Sequence, residues 1–154
     1  MEELICREGT VHSVIFQNAE NGYTVLRLLT EEGEVVTVVG CIPCVAPGEH
    51  LTVTGTWEVH PQHGEQLKAQ ELERTLPEEE EDIFAYLSSG VCKGVGPTTA
   101  RRIVDRFGLE TLDILEAEPE RLQEIRGITA KKAMEIGAMF RQHMGLRRLM
   151  EFLS

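Results

Sequence analysis

The chain has 154 residues and a net charge of -11, and its 42% hydrophobic and 5% aromatic content is enough to bury one modest core or two small ones. No segment approaches the roughly 18 uninterrupted apolar residues of a membrane span, and the start, MEELICREG, is acidic where a signal peptide would be basic and then apolar. These features argue against a membrane-spanning or secreted chain and favour a cytoplasmic one.

The charge is unevenly distributed along the chain. Residues 1–76 hold 4 Lys+Arg and 12 Asp+Glu, whereas residues 83–154 hold 11 and 9. An acidic chain is a poor general binder of nucleic acid, because non-specific affinity comes mainly from neutralising phosphates. A local basic patch in the second part nevertheless remains compatible with this composition.

The first part of the sequence alternates apolar and polar residues and is rich in β-branched side chains. Five strand candidates follow one another, at 4–17, 23–30, 34–41, 50–59 and 65–72. Gly22 and Gly33 supply hairpin turns, and Pro43, Pro47 and Gly48 interrupt the chain before the fourth strand. Residues 1–76 are therefore predicted to form a five-stranded antiparallel OB-like barrel, with an SH3-like barrel as the alternative.

Beyond residue 76 the apolar spacing changes to the helical period. The acidic run at 78–82 falls in a predicted linker, 77–82, and supplies the first turn of a helix, where negative charge complements the helix dipole. Residues 83–154 are predicted to be all-helical. The predicted fold class is thus α+β in two segregated domains, the barrel and then the helical domain.

A repeat lies within the helical part. The segment GVGPTTA, which begins at Gly94, falls on GITAKKA, which begins at Gly127, when it is shifted by 33 residues, and the same shift carries Ile103 to Ile136. Two copies of one helix-turn-helix unit are predicted, packed so that each buries a face that neither buries alone.

Each copy reads as a tight turn that opens a helix. Val95 and Ile128 are expected to point inward and anchor the turns, while Ala100 and Ala133 allow the flanking helices to approach closely. The backbone N–H groups of 94–96 and 127–129 are then expected to face outward, at helix N-termini that favour an oxyanion.

Hydroxyl and cationic side chains flank both turns, and together with the turn residues they form the predicted DNA-phosphate site. Phosphate contacts of this kind position a DNA backbone without reading bases. The candidate DNA-binding residues are Lys93, Gly94, Val95, Gly96, Thr98, Thr99, Arg101 and Arg102 in the first copy, and Arg126, Gly127, Thr129, Lys131 and Lys132 in the second.

These residues carry a family resemblance. KGVGPTTARRI and RGITAKKAMEI resemble tandem helix-hairpin-helix motifs, and the second copy departs from the motif by having Thr129 in place of the second glycine. The ordered segments NGYTVLRL, VVTVVG, PGEHLTVTGTW, HPQHGEQLKA, YLSSGVCKGVGPTTARRIV and FGLETLDILEAEPERL resemble the N-terminal region of bacterial RecD-like ATP-dependent DNA helicases over nearly the whole chain.

The resemblance implies a non-catalytic DNA-binding region of a 5′ to 3′ helicase that acts in DNA repair and recombination in the bacterial cytoplasm. It implies DNA and the C-terminal motor of the same polypeptide as partners, a monomer, no cofactor in this chain, and ATP with magnesium in the full-length parent. No G-x-x-x-x-G-K-[ST] loop is present, so the chain is expected to be a fragment or a stand-alone relative without ATPase activity.

A protein-interaction module is the alternative function, with the acidic barrel docking the motor or another partner and the helical part acting only as a scaffold. No arrangement of Ser, His, Asp or Cys indicates catalysis.

Cysteines and histidines suggest only weak alternatives of their own. Cys41 and Cys44 form a lone C-x-x-C and are expected to be plain thiols, as are Cys6 and Cys92, because zinc sites normally need a second ligand pair. The pair in His60-Pro-Gln-His63 is read as part of a loop between two strands rather than as metal ligands.

Three aromatic residues are open to two interpretations. Phe16, Tyr23 and Trp57 are expected to pack in a core or a domain interface, with a stacking platform for single-stranded bases as the alternative.

Overall fold

The computed structural model describes residues 3–62 and 64–153, with the backbone alone for 150–153. Two compact units are distinguished, Met1–Leu76 with Met150–Ser154 and Pro77–Leu149, and each is treated by itself. The strands are β1 Ile5–Gln17, β2 Tyr23–Thr30, β3 Val35–Cys41, β4 His50–His60 and β5 Gly64–Thr75. The helices are α1 Glu80–Tyr86, α2 Pro97–Phe107, α3 Thr111–Ala117 and α4 Ala130–Leu153.

The first unit is a closed barrel in the order β1-β2-β3-β5-β4. Four of its five contacts are antiparallel, but β3 and β5 run parallel, with Val38 opposite Leu67. The prediction of a purely antiparallel barrel is therefore wrong. In a closed ring with an odd number of strands, the strand directions cannot alternate all the way round, so one neighbouring pair must be parallel.

The barrel interior is filled by aliphatic side chains from all five strands and from the segment after β3. Closure depends on close backbone approach at Gly9 of β1, which pairs with Thr30 of β2 and Leu51 of β4, and where a β-carbon would collide with the Leu29 carbonyl. The buried core consists of Val11, Leu26, Leu28, Val36, Val38, Ile42, Val45, Leu51, Val53 and Leu67.

A buried ion pair holds the connection between β3 and β4. Glu49 is fully buried, and its carboxylate accepts from Arg74 of β5 at 2.9 Å and from the N–H of Ala46 at 2.8 Å. Arg74 also donates to the Pro43 carbonyl at 2.8 Å. Removing one member of such a pair leaves an uncompensated buried charge, so the pair fixes this connection firmly against β5.

The three aromatic residues singled out in the sequence are exposed, and packing in the core is wrong for all of them. Phe16, Tyr23 and Trp57 are 51, 42 and 37% exposed. Ile15 is an extra residue in β1 that reverses its inward and outward alternation, so that Phe16 points outward, whereas Trp57 pairs with the buried Leu67 on the inward face of β4. Arg7 lies over the Trp57 ring at 5.7 Å.

The second unit begins with α1, whose first turn contains Glu80, Glu81 and Asp82, as the acidic run predicted. A π-type turn, Leu87–Val91, continues α1 and contains Gly90, whose φ is 103°. Two short 3-10 segments, Gly108–Glu110 and Pro119–Glu124, flank α3. In the part of the chain that the structure describes, no helix combines the length and apolar character that a bilayer crossing requires.

Candidate nucleic-acid interface

The first turn connects the end of the π-type segment to α2. Gly94 adopts φ 85°, a left-handed conformation that favours glycine. Val95 is buried, as predicted, and its N–H donates to the Cys92 carbonyl at 3.3 Å. Pro97 is the first residue of α2, where no N–H is required, and the Ala100 N–H makes the first helical bond to the Gly96 carbonyl at 2.9 Å.

The second turn reproduces this backbone 33 residues later. Gly127 adopts φ 96°, and the buried Ile128 donates its N–H to the Ile125 carbonyl at 3.2 Å. The Ala133 N–H bonds the Thr129 carbonyl at 2.9 Å, the same distance as in the first copy. The repeat read from the sequence is therefore present in dihedral angles and hydrogen bonds as well as in residue types.

The outward orientation expected for all the turn N–H groups is wrong for two of them. Those of Val95 and Ile128 are used inside the turns, because closing a four-residue turn takes up the N–H of its last residue. Within the described residues, the N–H groups of Gly94, Gly96, Thr98 and Thr99 donate no hydrogen bond. These are the donors that the first turn leaves for a ligand.

The two helix starts differ in their caps. Gly96 offers α2 no side-chain cap, whereas the hydroxyl of Thr129 accepts the N–H of Lys132 in the first turn of α4 at 3.2 Å. A β-carbon at Gly96 would meet no atom within 4 Å, so the space in front of α2 is open. The second helix start therefore already satisfies a donor that the first leaves free.

Cations at the turns differ in whether a carboxylate neutralises them. Arg101 is ion-paired with Glu81 at 3.0 Å and lies over the Phe84 ring at 4.0 Å, and its guanidinium lowers the pKa of Glu81. The other five predicted cations form no ion pair with any residue the structure describes. These five, called the turn cations below, are Lys93, Arg102, Arg126, Lys131 and Lys132.

The structure brings the two turns together. The Lys132 ammonium lies so close over Gly94 that a β-carbon there would collide with it, and a guanidinium nitrogen of Arg102 lies 3.7 Å from the β-carbon position of Gly127. These two contacts thus place the first and the second turn next to each other. Thr98 is exposed and Thr99 half-buried.

Two features were missed by sequence reasoning. Cys92 accepts the turn bond of the first copy and, by the same 33-residue shift, corresponds to Ile125 in the second; burial raises the pKa of its thiol to about 11. Gly137 of α4 allows Pro119 to pack against the helix, where a β-carbon would collide with the proline ring. Extending the repeat in both directions from the glycines would have indicated the first feature.

The cysteine and histidine alternatives receive no structural support from a ligand cluster. Among the described residues, no three His, Cys, Asp or Glu side chains lie together as a metal site would require, and none of the cysteines forms a disulfide. His63, the second histidine of the pair considered in the sequence, lies outside the described residues.

Comparison with known sequences agrees with this architecture. Residues 2–77 match the OB-fold domain family of the ATP-dependent DNA helicase YrrC. Residues 86–136, which contain both turns, match the SAM-like helix-hairpin-helix tandem family. The first match decides for the OB-like barrel over the SH3-like alternative. The fold and the paired turns thus define an OB barrel joined to a helix-hairpin-helix tandem.

A relative shows the same combination. The ATP-dependent RecD2 DNA helicase of Deinococcus radiodurans is 30% identical over 153 residues, which cover 95% of this chain and 21% of that protein. The chain thus corresponds to the N-terminal OB and helix-hairpin-helix region of RecD-like DNA helicases. It spans only about a fifth of the length of this relative.

One solved structure, the S. pombe Stn1–Ten1 complex, is similar over 47% of this chain and 57% of its own, with 22% identity and a TM-score of 0.38. A likeness at that level carries no structural argument.

Proposed function

We propose that this chain is the non-catalytic DNA-binding region of a RecD-like helicase with 5′ to 3′ polarity, and that it contacts DNA backbone phosphates without sequence preference. Its partners are DNA and the motor of the same polypeptide, which uses ATP and magnesium. We further propose that it works as a monomer in the bacterial cytoplasm. The functional boundaries are those of the barrel, 1–76, the acidic linker, 77–82, and the hairpin domain, 83–154.

The observation that carries the proposal is the charge at the helix starts. Glu80, Glu81 and Asp82 occupy the first turn of α1, which is the arrangement that the helix dipole favours. The first turns of α2 and α4 contain no acid, and that of α4 contains Lys131 and Lys132. Cations at a positive helix end repel it, and an anion between them relieves that cost.

The chemistry of the surface fits a phosphate diester. Uncapped N–H groups of α2, the hydroxyls of Thr98 and Thr99, and the turn cations are all donors or positive charges. Such groups bind phosphate oxygens and make no distinction between bases, so the binding is expected to be independent of sequence and sensitive to salt.

The barrel supports a second role. Its sequence holds 12 acidic and 4 basic residues, and Phe16 and Val59 are largely exposed on it. Acidic charge repels DNA, whereas exposed apolar side chains suit a protein surface. We therefore assign docking of the motor or another protein to the barrel as the second candidate function.

The proposed DNA contact is tested by placing a carboxylate at the helix start. Gly96 has φ -89° and open space at its β-carbon, so Gly96→Glu fits the turn without strain and points negative charge at the free N–H groups. The matched control is Gly145→Glu, which adds the same charge at an exposed α4 position where a β-carbon also meets nothing.

Binding is measured by fluorescence anisotropy on two unrelated DNA sequences over a range of salt concentrations. We expect the wild-type chain to bind both sequences equally, Gly96→Glu to bind about 10-fold more weakly, and Gly145→Glu to change affinity less than about 2-fold. Equal loss in both variants, or no binding by the wild type at low salt, would refute the phosphate contact and leave the scaffold function.

A further inference from the structure

Lys132 belongs to the second hairpin, but its ammonium group lies at the first turn. It lies in the first turn of α4, where its own N–H is bonded to the Thr129 hydroxyl. Its ammonium group lies over Gly94, the left-handed glycine of the first turn. A side chain at position 94 would occupy the space that the ammonium takes.

Arg102 shows the reverse relationship. It lies one turn into α2, in the first hairpin, and a nitrogen of its guanidinium reaches 3.7 Å from the β-carbon position of Gly127 in the second turn. The two cations therefore cross between the copies. The crossing is not produced by the sequence repeat itself, because the 33-residue shift carries Arg102 to Glu135 and Thr99 to Lys132.

Neither cation is held at its position by an ion pair with a carboxylate of the described residues. Neither Lys132 nor Arg102 has an ion pair or a side-chain hydrogen bond with the residues that the structure describes. Each cation lies over a turn that itself presents backbone N–H groups, so positive charge is set beside positive charge. A bound anion between the cation and the turn converts this repulsion into attraction on both sides.

We infer that the hairpins exchange cations, so that Lys132 completes the phosphate site of the first turn and Arg102 completes that of the second. This inference rests on the proposed function, because the ligand is the phosphate that the turns bind. The ligand chemistry is a phosphate oxyanion, whose source is the DNA backbone or free phosphate. The two turns then bind as a coupled pair, since each loses a ligand-binding cation when the other hairpin is displaced.

A substitution at one of these two cations should act at the turn of the other hairpin. Amide chemical shifts measured by NMR locate that effect residue by residue. The variants are Lys132→Gln and Arg102→Gln, which keep a polar side chain and remove the charge. Lys131→Gln is the matched control, because Lys131 neighbours Lys132 and is exposed, but no contact places it at the first turn. Each 15N-labelled full chain is titrated with a short DNA and, separately, with inorganic phosphate.

We expect Lys132→Gln to lose at least about half of the DNA-induced shift at the amides of Gly94 and Gly96 while retaining that at Gly127. Arg102→Gln should show the opposite pattern. All three variants should bind DNA about 3- to 10-fold more weakly, so that location rather than affinity identifies the exchange.

Three outcomes separate a failure of the cation exchange from a failure of the proposed function. Loss at Gly127 on Lys132→Gln, or the same pattern for Lys131→Gln and Lys132→Gln, would overturn the exchange of cations. No DNA-induced change at either turn of the wild type would refute the proposed function itself. A crossed pattern with inorganic phosphate but not with DNA would keep the exchange and assign the site to free phosphate.

Discussion

The two hairpins have the same backbone but different surroundings. Both place a left-handed glycine before a buried aliphatic residue, and both close with a hydrogen bond of nearly the same length. They differ at the helix start, where Gly96 leaves α2 uncapped and Thr129 caps α4. They differ also in the preceding helix, which is α1 with its π-type extension in one copy and a 3-10 segment in the other.

This difference shows that packing constrains the buried positions of a repeat, whereas its surface positions can differ from one copy to the other. The buried positions are retained in kind, since Ile103 and Ile136 are both fully buried. The donors at the surface are not retained, because a hydroxyl cap and a free N–H support the same fold. We therefore expect the first turn to bind phosphate more strongly than the second.

The largest expected effect concerns Cys92, which takes the place of Ile125. Burial raises the pKa of the Cys92 thiol from 9.0 to about 11, which lowers its thiolate fraction roughly 100-fold, and we expect an alkylating reagent to label buried Cys92 far more slowly than exposed Cys41. The unfolded chain loses this proton first as pH rises, so stability falls between pH 9 and about 11.

Mass spectrometry of the labelled peptides measures both rates in one sample. In denaturant the two cysteines should react alike. Equally fast labelling of Cys92 and Cys41 in the native chain would show that the first turn opens far more readily than its packing implies.

The next largest effect concerns a difference between the two copies at Gly137 of α4, which corresponds to the buried Val104 of α2. Gly137→Ala forces the Pro119 ring away and should lower the free energy of unfolding by about 1–3 kcal/mol, despite the better helix propensity of alanine. Gly145→Ala, in the same helix with open space around it, should instead raise it by about 0.5–1 kcal/mol.

Urea unfolding followed by far-UV circular dichroism gives both values. A stabilising Gly137→Ala would mean that Pro119 yields easily and that the 3-10 segment does not depend on this close approach.

The smallest expected effect comes from exchanging the caps. Gly96→Thr supplies the hydroxyl that Thr129 supplies to α4, and by occupying an N–H of α2 it should weaken DNA binding about 5-fold with a stability change of only a few tenths of a kcal/mol. Thr129→Gly should cost a similar few tenths of a kcal/mol without weakening DNA binding. An equal loss of affinity in both variants would remove the distinction between the two turns.

The fold could be predicted largely from local pattern, and its exceptions arise where distant strands meet. The predicted strand at 23–30 has the bounds of β2, because alternation and a following turn define it locally. The parallel contact of β3 with β5 depends on how the ring closes, and the outward Phe16 depends on a register shift in β1. Neither leaves a signal in a short segment.

The candidate site was predictable in its turns but not in its charges. The glycines, the buried anchors and the repeat follow from residue types at fixed spacing. The pairing of Arg101 with Glu81 joins residues that are 20 apart, and the contact of Lys132 with Gly94 joins the two copies. Which cations are neutralised and which are left for a ligand is therefore a property of the tertiary structure.

The salt dependence of DNA binding tests the central claim, that the unpaired turn cations neutralise phosphates, most directly. The double variant Lys93→Ala with Arg126→Ala removes one turn cation from each copy, and Arg106→Ala with Arg148→Ala removes two exposed cations that are paired with Glu124 and Glu116. Both change the net charge equally. We predict that the magnitude of the slope of log K against log salt decreases by about two units in the first double variant and stays unchanged in the second double variant. Equal slopes in the two double variants would contradict the account.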